Sequence, residues 1–151
     1  MPSARIAHAA DAEAVARLLL EFRDWIGRTQ PDPAGALASV RRLLADPDAE
    51  FLVAGDPADA FCQLRYRHSV WTGTDDCVIE DVYVRERARG AGLGRVLVAA
   101  AIEQARGRGC ARIQLDTGEG NAPALALYRS FGFESGSGEP GGRDVMLRMR
   151  L

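Results

Sequence analysis

A chain of 151 residues with 47% hydrophobic content is long enough to close one real core, and no Pro/Gly/Ser-rich linker divides it, so residues 1–151 are expected to form a single domain. A net charge of −2 lacks the basic excess of a nucleic-acid binder. No apolar run nears the roughly 20 residues of a bilayer span, and the N-terminus MPSARIAHAADAE lacks the apolar stretch of a secretion signal, so a cytoplasmic protein with neither nucleic-acid nor membrane partners is expected.

Two further residue types narrow the chemistry. All 19 basic residues are arginine, which removes Schiff-base and pyridoxal-phosphate chemistry, since both need a lysine amine. Cys62, Cys77 and Cys110 are odd in number, lack CxxC spacing and have only His8 and His68 to assist them. Buried thiols are therefore expected, rather than a disulfide framework or a metal site.

In chain order, Arg5–His8 predicts a short strand, and Asp11 an N-cap for a helix reaching about Ile26, with Ala14, Val15, Leu18, Leu19, Phe22 and Trp25 at helical spacing and Gly27 as its stop. A second helix is expected over Ala34–Ala45. Strands follow at Glu50–Ala54, Ala60–His68 and Cys77–Val84, the first two joined by GDPAD, as an antiparallel meander. A helix over Leu93–Arg106 then leads to a strand at Arg112–Thr117, which the crossover rule sets parallel to Cys77–Val84. A helix at Asn121–Ser130 and a strand at Val145–Arg150 complete the order β-α-α-β-β-β-α-β-α-β. This is an α/β (α+β) fold with a mixed, mostly antiparallel sheet flanked by helices.

The segment VIEDVYVRERARGAGLGRVLVAAAIEQA, from Val78 to Ala105, carries the strongest functional signal. Arg89-Gly90-Ala91-Gly92-Leu93-Gly94 places three glycines on alternate positions between a strand and a helix. Either this is a plain turn, or its backbone N–H groups cradle a diphosphate at the positive end of the helix. It is no P-loop, which needs GxxxxGK[ST], and no dinucleotide fingerprint, because Arg95 stands where GxGxxG requires its third glycine after Gly92. Residues 85–129 hold 8 Arg against 4 acids and residues 1–84 hold 14 acids against 8 Arg, a distribution that suits an anionic cofactor and a cationic substrate.

Arg89, Gly92 and Gly94 satisfy the [RQ]xxGx[GA] signature at a strand-to-helix junction, and NAPALALYRSFGF at Asn121–Phe133 is similar to a second cofactor element, Asn…Ala…Tyr…GF. On these motifs the chain resembles the GNAT superfamily of acyl-CoA N-acyltransferases over almost its whole length. HSVWTG at His68–Gly73, Glu80-Asp81, the Tyr128 region and the acidic segment from Glu134 to Glu139 also look similar to the diamine (spermidine/spermine) branch. The resemblance implies acetyl-CoA as cofactor, a small-molecule primary amine as acceptor, and a homodimer. It places Val82, Tyr83, Val84, Arg89, Gly90, Ala91, Gly92, Leu93, Gly94, Arg95, Asn121, Ala124, Tyr128 and Arg129 at the cofactor. Trp25, Glu80, Asp81, Asp116 and Glu139 are candidate acceptor contacts.

Acetylation needs a deprotonated amine, a polarised thioester carbonyl and a proton for the departing thiolate. Strict alternation puts Val78, Glu80, Val82 and Val84 on one face, which makes Glu80 the candidate base or an acceptor anchor. Asp81 then points to the opposite face unless a bulge re-aims it. A backbone N–H at Val82–Val84 is the expected carbonyl donor. Tyr128 is the candidate acid for the thiolate, or packs against Ala124 and Phe131; Asn121 caps its helix or bonds the pantetheine. Two alternatives remain open: a protein or peptide N-acetyltransferase, and a catalytically silent acyl-CoA-binding module.

Overall fold

A computed structural model describes residues 1–136 and 146–151. The chain divides into two compact units, Met1–Asp116 and Thr117–Leu151. In the first, β1 (Ala4–Ile6), α1 (Ala12–Trp25), α2 (Pro33–Leu44), β2 (Ala49–Ala54), β3 (Ala60–Ser69), β4 (Thr74–Val84), α3 (Leu93–Gly107) and β5 (Arg112–Gln114) follow one another; the second holds α4 (Ala122–Ser130). The sheet order is β1-β2-β3-β4-β5. Its first three pairings are antiparallel and β4–β5 is parallel, as expected.

The two faces of the sheet bury different side chains. Phe51, Val53, Phe61 and Tyr83 join Val15, Leu18 and Val40 of α1 and α2 in one core cluster. Leu52, Cys62, Leu64, Cys77 and Ile79 are buried on the other face, which α3 covers with Leu97, Val98 and Ala101. Both sheet faces are thus packed by helices, and the interior strands read as nearly continuous apolar runs. Burial holds the thiols of Cys62 and Cys77 in the neutral form, Cys77 pushed up to about 12; Cys110 is only half-buried.

Helix ends differ in detail from expectation. Asp11 is not the side-chain cap of α1. It ends a short 3-10 turn, Ala9–Asp11, where its carboxylate accepts the His8 N–H at 2.8 Å and both Arg5 amino groups at 2.8 Å. That pairing holds Asp11 down at about 2. At α2, Asp32 accepts the Gly35 N–H at 2.7 Å and Pro33 opens the helix, so the start shifts one residue before Ala34.

The expected strand at Arg112–Thr117 pairs only over Arg112–Gln114. Its first residue is tied down strongly: Asp76 is 2% exposed and accepts two bonds from Arg112, at 2.7 and 3.2 Å, while Arg112 also reaches the Ser69 hydroxyl. Beyond Val78 and Gln114, β4 has no strand partner on that edge among the described residues. The expected last strand begins at Val145, outside the described residues. Its described remainder, Met146–Arg150, is paired with no strand.

Candidate active site

β4 carries a bulge at the two adjacent acids. Gln63 pairs with Asp81 and Leu64 with Ile79, which leaves Glu80 as the extra residue. Packing explains why the strand needs it. Under strict alternation Cys77, Ile79, Asp81 and Tyr83 would all face α3. With the extra residue, Cys77 and Ile79 stay on the α3 face while Tyr83 turns into the α1/α2 core, where it stacks on Phe22 at 5.2 Å.

The bulge corrects the expected row of Val78, Glu80, Val82 and Val84. Val78 pairs with Arg65 and lies on the α1/α2 face, whereas Val82 and Val84 pair with Cys62 and Ala60 on the opposite face. Asp81, expected to point away unless a bulge intervened, is re-aimed to the α1/α2 face beside Gln63. Glu80 is 41% exposed and pairs with Arg65 at 3.5 Å. Asp81 is half-buried and more sheltered than Glu80. Burial first, then the charge of Glu80, push its carboxyl up to about 6; Arg28 opposes the shift and Asp116 adds to it. Arg28 and Gln63 were missed by sequence reasoning, and no local pattern could have found them, because a bulge and a helix end bring them to Asp81.

The Arg/Gly loop lies between β4 and α3. Gly90 and Gly92 take φ values of 82° and 83°, in the left-handed region that costs an L side chain about 1–2 kcal/mol. Gly92 is the residue before α3, Leu93 is buried beneath the helix, and Gly94 is in its first turn. A Cβ on Gly90 would meet nothing within 4 Å, and one on Gly92 only Pro2 at 3.9 Å. Conformation rather than crowding by the protein demands these glycines, and it leaves the loop's backbone open to an anion.

The arginines of residues 85–129 are mostly engaged. Arg85 forks onto Glu21 at 2.7 and 2.9 Å and reaches Asp59, Arg87 pairs with Asp59, and Arg106, Arg108 and Arg112 all hold carboxylates. The positive excess of this segment is therefore largely structural. Arg89 turns away from the loop: its Nε donates to the Val84 carbonyl at 3.0 Å, and its guanidinium lies 5.0 Å from the centroid of the Trp25 ring. Glu21 and Asp24 of α1, Tyr83 of β4, and Arg85, Glu86 and Arg87 line a groove of about 530 Å³.

Within the second unit, Asn121 caps α4 by accepting the Ala124 N–H at 3.3 Å. The Tyr128 ring packs edge-on against Phe133 at 5.8 Å, and Arg129 is in the last turn. Glu139 lies outside the described residues.

A family model described as the acetyltransferase (GNAT) family matches residues 14–133. The aminoglycoside N(6')-acetyltransferase type 1 of Stenotrophomonas maltophilia is 33% identical over 139 residues, covering 88% of this chain and 86% of that protein. The streptothricin acetyltransferase of Streptomyces lavendulae is 34% identical over 104 residues, 68% of this chain and 54% of that protein, so the chain spans about half of this relative. A crystal structure from Arthrobacter sp. FB24, described as an acetyltransferase, matches with a TM-score of 0.88 at 28% identity, over 98% of this chain and 95% of that one.

Proposed function

The chain belongs to the acetyltransferase (GNAT) family, and from that membership we propose that it acetylates a primary amine of a small, polycationic molecule by direct attack in a ternary complex, with Asp81 as the proton acceptor. As a member of the family it is an acetyl-CoA-dependent N-acetyltransferase. Acetyl-CoA supplies the activated acetyl thioester. The residues fit that group: the Gly90–Gly94 loop presents open backbone at the head of α3, where the backbone N–H groups would hold the diphosphate.

The observation that carries the proposal is the bulge. An alkylammonium, with a pKa of about 10, must lose a proton before it can attack, and a general base works best with a pKa near the operating pH. A carboxyl at about 6 meets that condition. Glu80, half-exposed on Arg65, is assigned instead to anchoring a cationic acceptor. Asp81, Glu80 and Asp116 together favour an acceptor with more than one positive charge. The relatives' names point to aminoglycoside and streptothricin acceptors, so polyamines stand as one class within this group rather than as the branch itself. A backbone N–H on the unpartnered β4 edge at Val82–Val84 would polarise the carbonyl, and Tyr128 would return a proton to the thiolate.

The reading includes one catalytic domain over residues 1–151, working as a cytoplasmic homodimer; among the described residues no helix is long and apolar enough to cross a membrane. A thiol-release screen with acetyl-CoA against aminoglycosides, polyamines, amino acids and peptides tests it. Turnover confined to polycationic small amines is expected. Turnover confined to peptides would replace the acceptor class, and acetyl-CoA binding without any turnover would reduce the protein to a binding module.

A further inference from the structure

Arg89 opens the Arg/Gly loop in sequence, yet its side chain lies over the C-terminal end of α1. The Nε bond to the Val84 carbonyl orients it, and the guanidinium is 5.0 Å from the Trp25 centroid and 6.0 Å from that of Tyr83. Trp25 is the last residue of α1 and 57% exposed, with Phe22 tilted against it at 6.3 Å. An indole face already holding a guanidinium is a face that accepts cations, and an alkylammonium is attracted to it by the same ring quadrupole. The diphosphate of the cofactor offers the guanidinium a stronger, bidentate partner at the loop. One cation therefore has two places to be.

We propose that the exposed face of Trp25 is an ammonium subsite for the acceptor, filled by Arg89 in the free protein and vacated when the cofactor's diphosphate draws Arg89 into the loop. This rests on the proposed occupation of the loop by acetyl-CoA. It goes beyond it by making the two substrates cooperative: cofactor binding opens the cation site, and by linkage a cationic acceptor strengthens cofactor binding by the same factor. A neutral acceptor would show no such coupling.

The chain holds two tryptophans, and Trp71 is at the tip of the β3–β4 hairpin, 91% exposed. Trp71→Phe therefore leaves Trp25 as a single reporter. This variant is titrated with CoA, which cannot turn over, while calorimetry and Trp25 emission are followed on the same samples. The emission is expected to shift as CoA saturates. Adding Arg89→Gln should produce the shifted emission before any CoA is present. Trp25→Leu should tighten CoA binding by about two- to fivefold, the equivalent of one exposed cation–π contact no longer competing. Calorimetric binding with unchanged Trp25 emission would overturn the subsite and leave the functional reading intact, as would weaker CoA binding by Trp25→Leu. Absence of calorimetric binding would sink the functional reading, and the subsite with it.

Discussion

Asp81→Asn tests the base assignment, because burial and catalysis predict changes of opposite sign in one variant: greater stability and lost turnover. The carboxyl is held at about 6 against an ordinary 3.8, so the folded protein binds its proton more tightly than the unfolded chain does. Ionising it costs folding free energy that is absent below about pH 4, grows up to about pH 6 and is complete above that. At about 1.4 kcal/mol per pH unit the gap comes to at most about 3 kcal/mol; partial solvent access brings the expectation to about 1–3 kcal/mol. The asparagine variant should therefore be more stable than wild type at neutral pH by that amount, and the advantage should vanish near pH 4. Urea denaturation across this range measures it. The same variant should lose roughly 100- to 10,000-fold in kcat/KM on an active amine, together with the wild-type inflection near pH 6. Glu80→Gln should instead raise KM with kcat little changed. A stability difference independent of pH, or full activity in Asp81→Asn, would refute the reasoning.

Arg112→Ala should leave the buried Asp76 carboxylate without its fork, and thermal unfolding is expected to show a lowered Tm. Gly92→Ala must hold an L side chain at φ 83°, with little to clash against; calorimetry should show acetyl-CoA affinity lowered about tenfold or more as the loop relaxes, with the fold retained by circular dichroism. Tyr128→Phe should keep cofactor affinity while turnover falls about 10- to 1,000-fold, seen in steady-state assays; equal turnover would return Tyr128 to packing against Phe133.

Much of this protein is readable without coordinates. The periodic apolar positions of α1 and α3, the meander, the parallel return of β5 and the loop glycines are local or nearest-neighbour features, and each residue involved carries its own evidence: apolar spacing of 3.6 or 2, or a glycine where only φ above zero will serve. Less was legible at ends that depend on partners. Asp11 is a plausible cap by type, but Arg5 on the preceding strand takes its carboxylate. The strand after Arg112 stops at Gln114 although the apolar pattern continues, because pairing with β4 ends there.

The candidate site divides in the same way. The sequence by itself determined that an Arg/Gly loop joins a strand to a helix, that Glu80 and Asp81 stand on that strand, and that no lysine chemistry is available. Only the tertiary structure decided which carboxylate is the more sheltered, because the bulge at Glu80 arises from two cores on opposite faces of the sheet, one needing Cys77 and Ile79 and the other Tyr83. It likewise decided that Arg85 and Arg87 beside the loop are tied to Glu21 and Asp59 and that Arg89 rests on Trp25, a residue far away in the chain. Residue types and spacing carry information along the chain. Face, burial and pairing are set by which other segments arrive, and it is these that move a carboxyl from its ordinary range to one where it can accept an amine's proton.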